Sequence, residues 1–285
     1  MKNIGIFGLG AIGSLLTKYV TRNKENNYLF FNRSAKDVVK IKYQEKIDEI
    51  PITLAGQFQG KLDWIFICLK EYQHTDAIPK IRSVLDENTK LAIFQNGINL
   101  SSKYTSFVNS QNILETIIDC PVERVEEELL LQHRSPKIIL PKSDLAIEFK
   151  KLFSDELAEI QIIDNFVSAQ WTKLIESSAI GSIQTYTGKP CSIFEQEKYL
   201  AEFMALIEEG ILVAKSEGVS LASDLKEQLL VKLKNYSKTK GSSMLSDKLS
   251  KRKLELNAKI GVIKSIADRN GVDIPTTQRV YQLLV

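Results

Sequence analysis

Apolar residues change their spacing once along this chain. Through the first 165 residues they come as short unbroken runs, at 3–7, 28–32, 63–69 and 90–94, with Trp64, Ile65, Phe66, Ile67 and Cys68 in a row in the third run. Short runs without polar alternation suit strands buried on both faces, as in a parallel sheet. Residues 11–22 place Ile12, Leu15, Leu16 and Tyr19 on one face of a helix. Strand and helix in alternation predict βαβ units. The segments 113–118, 129–132 and 137–140 read as further strands without a clear helix between them, which suits antiparallel pairing. A weak helix at 144–153 and a short strand at 160–163 close this half.

From Phe166 onward the strand pattern disappears. Segments 168–186, 198–217, 221–235, 247–270 and 276–284 carry helical spacing. Trp171, Leu174, Ile175, Ala179 and Ser182 follow the i, i+3, i+4 rule, as do Leu249, Leu256, Ile260, Ile263 and Ala267. Gly218 and Gly271 stand where C-terminal caps belong, and Pro275 follows the second. The boundary falls near Asp164–Asn165. The expected fold is α/β: an N-terminal Rossmann-like, doubly wound sheet over 1–165, then an all-helical substrate and catalytic domain over 166–285.

Composition narrows the chemistry. With 38 Lys+Arg against 35 Asp+Glu, the net charge of +3 gives no field that would draw the chain to nucleic acid or an acidic membrane. Only two histidines, His74 and His133, are present, so a three-histidine metal site is excluded and no metal is expected. Cys68, Cys120 and Cys191 are scattered and odd in number, which suits a reducing compartment. The longest uncharged stretch, 3–17, is too short to span a bilayer and is broken by glycines. No leader pattern opens the sequence, so a cytoplasmic protein is expected.

Gly8-Leu9-Gly10-Ala11-Ile12-Gly13 lies between the first strand and the first helix. In that context G-x-G-x-x-G is a dinucleotide-binding signal: Gly8 permits the tight turn, Gly10 clears the way for a pyrophosphate, and Gly13 lets helix and strand approach. The anion then rests on the free N–H groups of the helix N-terminus. The second strand ends in Asn32-Arg33-Ser34, without the carboxylate that usually accepts the ribose hydroxyls of NAD. A carboxylate would repel a 2′-phosphate, whereas Arg33 can hold one bidentately and Asn32 can add a neutral hydrogen bond. NADP(H) is the expected cofactor.

Further segments join the glycine loop: Cys68-Leu-Lys70-Glu-Tyr-Gln73, Gln95-Asn96-Gly97, Gln170-Trp-Thr-Lys173-Leu, and Ser242-Ser243-Met-Leu with Glu255 downstream. This set, in this order and over essentially the whole chain, resembles the ketopantoate reductase family (2-dehydropantoate 2-reductases). The resemblance implies hydride transfer from NADPH to a small 2-oxo acid, giving a D-configured 2-hydroxy acid, with ketopantoate the default substrate in pantothenate biosynthesis. It places Lys70 and Gln73 beside the cofactor and Asn96 near the nicotinamide ribose and the substrate. It matches Lys173 to a catalytic lysine, Glu255 to a conserved carboxylate, and Ser243 to a substrate-binding serine. Physical chemistry agrees: a positioned ammonium can stabilise the charge that develops on a ketone oxygen and deliver its proton. Lys173 and Ser177, four apart on one helix, share a face.

Each residue also has a plainer reading. Lys173 could be a solvated helix lysine, Glu255 and Lys259 an i, i+4 surface pair, Ser243 a helix N-cap, Asn96-Gly97 an ordinary turn, and His74 a helix-start residue. The chain departs from the family at Ser177 and Gly181, where asparagines are usual. Serine is shorter than asparagine, and glycine has no side chain to hydrogen-bond a substrate oxygen. Two alternatives therefore stand beside ketopantoate reduction: a paralogue acting on another 2-oxo acid, and a dinucleotide-binding pseudoenzyme. A 6-phosphogluconate or 3-hydroxyacyl type of dehydrogenase shares the plan, but Lys173, Ser243 and Glu255 argue against it. The stripes at 198–217 and 247–270 could pack within a subunit or across a homodimer.

Overall fold

The computed structural model describes residues 1–56, 58–126, 128–154 and 158–285. The chain forms two compact units: Met1–Gln95 with Asn99–Phe166, and Asn96–Ile98 with Val167–Val285.

The first unit runs β1 (Asn3–Phe7), α1 (Ala11–Val20), β2 (Asn27–Phe31), β3 (Val38–Tyr43), β4 (Lys46–Pro51), β5 (Trp64–Ile67), α2 (His74–Ser83), β6 (Lys90–Ile93), β7 (Ile113–Glu115), β8 (Ile117–Asp119), β9 (Val122–Arg124), β10 (Leu129–Gln132), β11 (Lys137–Pro141), α3 (Asp144–Lys150) and β12 (Glu159–Ile163). Five strands pair in the order β2-β1-β5-β6-β7, all parallel. The unbroken apolar runs explain why both faces are covered. Trp64 and Phe66 point with Ile4, Ile6 and Phe94 to one side, where Leu15, Leu16 and Phe149 meet them. Ile65 and Ile67 point with Leu91 and Ile93 to the other, against Ile81 of α2. Each such side chain, fully buried, contributes about 1.5–3 kcal/mol.

Two smaller sheets flank this one, in the orders β4-β3-β10-β9 and β12-β11-β8. The β3–β4 hairpin was not legible in the hydrophobic pattern. Its strands, VVKIKY and KIDEIP, are interrupted by charges at 40 and 42 and at 46, 48 and 49, so they lack the unbroken apolar run of a doubly buried strand. The stretch 113–118 divides between two sheets: β7 runs parallel to β6, while β8 runs antiparallel to β11. The antiparallel expectation for this region holds for β8–β11 and β9–β10, but β10–β3 and β11–β12 are parallel.

The second unit contains α4 (Phe166–Thr187), α5 (Glu197–Ser216), α6 (Leu225–Lys234), α7 (Ser243–Leu249), α8 (Ile260–Asn270) and α9 (Pro275–Gln282). The α4 stripe is buried as the periodicity demands, with Trp171, Leu174, Ile175, Ala179 and Ile183 in one core with Phe203, Ile263 and Ile98. Gly210 of α5 lies so close to α4 that a Cβ would stand 2.9 Å from Ile175. Small residues at a crossing let two helices approach in this way.

The single helix expected over 247–270 is two helices. After α7, Lys251 adopts a left-handed φ of 52°, which breaks the α-helical ladder. The chain stays non-helical until α8. Leu249, 69% exposed, is therefore no part of the stripe it seemed to begin. Helix α6 likewise starts at Leu225 rather than 221.

Candidate functional site

The glycine loop occupies the turn from β1 to α1. Gly8 has φ +92°, and its N–H donates to Phe31 O at 2.8 Å, so the loop starts as a continuation of the β1–β2 pairing. A Cβ on Gly13 would lie 1.8 Å from Gly8 O, whereas nothing lies within 4 Å of a Cβ on Gly10. Gly13 is thus fixed by close packing, and the approach beside Gly10 is open. Gly10 is also the N-cap of α1 and supplies no side-chain cap. The first amides of a helix then carry partial positive charge without an internal acceptor. These observations fit a dinucleotide diphosphate: Leu9, Gly10, Ala11 and Ile12 supply backbone at an open helix N-terminus.

At the end of β2, Asn32 braces this loop. Its Oδ1 accepts from Leu9 N at 3.1 Å and its Nδ2 donates to Ser34 O at 2.8 Å. Asn32 therefore shapes the cradle as well as bordering it. Arg33 is exposed beside it. Lys36, which the sequence did not single out, reaches back to Leu9 O at 3.3 Å. Burial pushes its ammonium below the usual lysine range, with Arg124 adding to the shift and Glu128 opposing it. Nothing in the local sequence signals this, because the contact depends on how the loop after β2 folds back.

After β5, Lys70 and Gln73 open a short helical turn leading into α2. Gln73 Oε1 accepts from Lys70 N at 2.9 Å, so its carbonyl oxygen is committed to local structure. His74 is the first residue of α2 and is buried, with Nδ1 2.5 Å from Tyr104 Oη. Burial, aided by the Lys103 charge, lowers its pKa to about 4. That is a neutral core histidine, in keeping with the plain helix-start reading. At the end of β6, Gly97 has φ +121° and Asn99 has φ +53°. The chain thus bends at Asn96-Gly97, and Asn96 belongs to the helical unit.

The remaining candidates lie on the helical unit. Lys173 and Ser177 are half-buried on α4. Ser177 Oγ donates back to Leu174 O at 3.3 Å. The cap of α7 is Ser242, whose Oγ accepts from Leu245 N at 3.2 Å. The N-cap reading therefore moves from Ser243 to its neighbour. Ser243 is exposed, and its Oγ accepts from Lys259 Nζ at 3.0 Å. Glu255 and Lys259 are 7% and 2% exposed and lie in the segment between α7 and α8. The surface i, i+4 pair is overturned: neither residue is on the surface and Glu255 is not on a helix.

Gly181 faces the start of α7. A Cβ there would stand 3.3 Å from Met244 Sδ and 3.8 Å from Ser242 Oγ. Met244 therefore fills the place beside this glycine. Gln184 and Thr185 are committed elsewhere: Gln184 donates to Lys240 O at 2.9 Å and accepts from Ser242 N at 2.7 Å, while Thr185 donates to Gly181 O at 2.6 Å. Lys240 itself was missed. Burial lowers its pKa to about 8, and the positive charges of Lys173 and Lys232 act in the same direction against Glu176 and Cys191. The helical unit thus carries a second lysine within electrostatic reach of Lys173.

A parallel sheet with an open glycine cradle at its first strand–helix turn, followed by a helical unit, is the plan of a dinucleotide-binding protein of two units. The family model "Ketopantoate reductase PanE/ApbA" matches residues 4–143, and "Ketopantoate reductase PanE/ApbA C terminal" matches 165–285. The chain belongs to the ketopantoate reductase family. A 2-dehydropantoate 2-reductase of Caulobacter vibrioides is 23% identical over 100% of this chain and 98% of that relative. The dimeric ketopantoate reductase from Staphylococcus aureus superposes with a TM-score of 0.89 at 20% identity, covering 99% of this chain and 97% of that one. A D-mandelate dehydrogenase, solved with NADH and anilino(oxo)acetate, superposes at 0.87 with 18% identity, covering 99% and 96%. Among the described residues no helix is long and apolar enough to cross a membrane.

Proposed function

We propose that this protein is an NADPH-dependent reductase of small 2-oxo acids, with ketopantoate the default substrate. The observation that carries the reading is one chain pairing a glycine cradle open at Gly10 with a helical unit in which Lys173 is half-buried and Glu255 buried. Bound NADPH supplies the hydride. Leu9 to Ile12 hold the diphosphate, Arg33 reads the 2′-phosphate, and Lys70, Gln73 and Asn96 border the cofactor. As negative charge grows on the carbonyl oxygen, the Lys173 ammonium stabilises it and gives up its proton. Glu255 supplies the carboxylate of this set. Ser243 and Ser177 bind the substrate's oxygens. A homodimer in the cytoplasm fits this role.

A second reading concerns the substrate's tail. Met244 closes on Gly181, where an asparagine would have offered a polar group. That favours a 2-oxo acid with a branched or aromatic tail, and the likeness to a D-mandelate dehydrogenase supports it. One assay separates the readings: NADPH oxidation over a panel of 2-oxo acids that includes ketopantoate and phenylglyoxylate. The expected result is oxidation with at least one of them, lowered about 10²–10⁴-fold in Lys173→Ala while NADPH still binds. No oxidation with any 2-oxo acid would leave a dinucleotide-binding sensor.

A further inference from the structure

A buried lysine lies beneath an exposed serine in the helical unit. Lys259 is 2% exposed, and its Nζ donates to Ser243 Oγ at 3.0 Å. Removing an ammonium from water is costly, and the bond to Ser243 is part of what holds this one. The capping duty at this turn already belongs to Ser242, through Leu245 N. Ser243 is therefore spare for another role.

The chemistry of the pair has a direction. An ammonium has three donors and no acceptor, whereas a hydroxyl has one donor and two lone pairs. In this bond the serine oxygen must accept, so its own hydrogen turns away from Lys259. The lysine charge also polarises that O–H, which strengthens it as a donor. Ser243 then offers an outward hydrogen. The complement is an anionic acceptor.

We propose that Lys259 is a positioning residue for the substrate's carboxylate, acting through Ser243. The inference rests on the 2-oxo acid reading above. Lys259 orients the Ser243 hydroxyl as a donor, so that the site selects the acid, whose carboxylate is the stronger acceptor, over its neutral ester. The keto oxygen and its reduction stay with Lys173, so the effect falls on binding more than on turnover.

The test uses the full chain at saturating NADPH, with the best 2-oxo acid of the panel and its methyl ester as paired substrates. Lys259→Met should raise KM for the acid about 10- to 100-fold, in the range of one charge-assisted hydrogen bond. KM for the ester should hardly move, and kcat for both should change far less. Lys259→Arg should recover part of the acid preference. Ser243→Ala should give the same acid-selective loss, and adding Lys259→Met to it should cost little more, since the two act as one device. A lysine that only supports the fold would weaken acid and ester alike, and that result would overturn the proposal. So would a Ser243→Ala variant with the parent's acid-to-ester ratio, even if Lys259→Met failed to fold. A parent that reduces no 2-oxo acid would instead remove the functional reading and this inference together.

Discussion

Under the proposed function, the guanidinium at position 33 is what reads the cofactor's extra phosphate. Arg33 is exposed at the end of β2, next to an asparagine that braces the glycine loop. A charge-assisted hydrogen bond from it to a 2′-phosphate is worth about 1.5–3 kcal/mol, or about 10- to 150-fold in affinity. Arg33→Ala should therefore weaken NADPH binding by that factor and leave NADH nearly unchanged, as titration of cofactor fluorescence would measure. Equal affinity of the parent protein for both cofactors would contradict this. At the residue scale the sequence was readable where a motif has a local cause. Gly8 and Gly13 are demanded by a turn and a close packing that the strand–loop–helix context already implies. Lys36, Lys240 and Lys259 were not readable as site neighbours, because each reaches its position only when distant segments fold together. Lys259 even misled, since its spacing from Glu255 suggests an exposed helix face, whereas both are buried in a non-helical segment.

Among the elements, α4 and α7 shape the region that departs from the family pattern. Gly181 lies against Met244, which is buried, and Lys248 Nζ docks α7 on Thr185 O at 2.7 Å. A methyl at position 181 needs only a small retreat of a flexible thioether, and a helical Gly→Ala change gains about 1 kcal/mol. An asparagine must displace Met244 from its place, and overpacking of that kind costs about 1–3 kcal/mol. Gly181→Ala should thus match or exceed the parent in urea-unfolding stability, and Gly181→Asn should fall below it. Equal stability of the two variants would mean that Met244 does not fill the site. The stripe of α4 was legible because a long central helix imposes its period on the sequence. The break between α7 and α8 was hidden because Leu249 and Leu256 kept a helical spacing across a segment that turns at Lys251. The β3–β4 hairpin escaped because its frequent charges, including Asp48 in an ion pair with buried Lys18 at 3.0 Å, look like solvated chain.

For the molecule as a whole, pH bears on stability through His74. Its folded-state pKa of about 4 lies below the ordinary value of about 6.5. Between those values the unfolded chain binds more protons than the folded one, so stability rises with pH across that window. The contribution is complete above about pH 6.5 and is lost as pH falls toward 4. From pH 7.5 to 5 it amounts to about 2 kcal/mol, or about 4–8 °C in Tm for a chain of this size. Glu148 acts in the same direction at lower pH: burial raises its pKa, but hydrogen bonds from Lys2 and Lys90 outweigh that and bring it to about 2. Thermal melts at the two pH values should show a smaller drop for His74→Phe than for the parent; identical drops would remove His74 from the account. The two-part plan was legible in the single change of hydrophobic spacing near residue 165, since buried parallel strands and amphipathic helices leave different periods. What that change could not reveal is the short excursion at Asn96–Ile98, which groups with the helices although strands flank it on both sides. Ile98 is buried in the helical core, yet the ribosome releases it long before α4 emerges. The second unit cannot close its core from its own contiguous segment alone. A gene cut at the boundary would yield a helical fragment lacking part of its interior, and during synthesis that segment must wait, unsatisfied, for the helices that will enclose it.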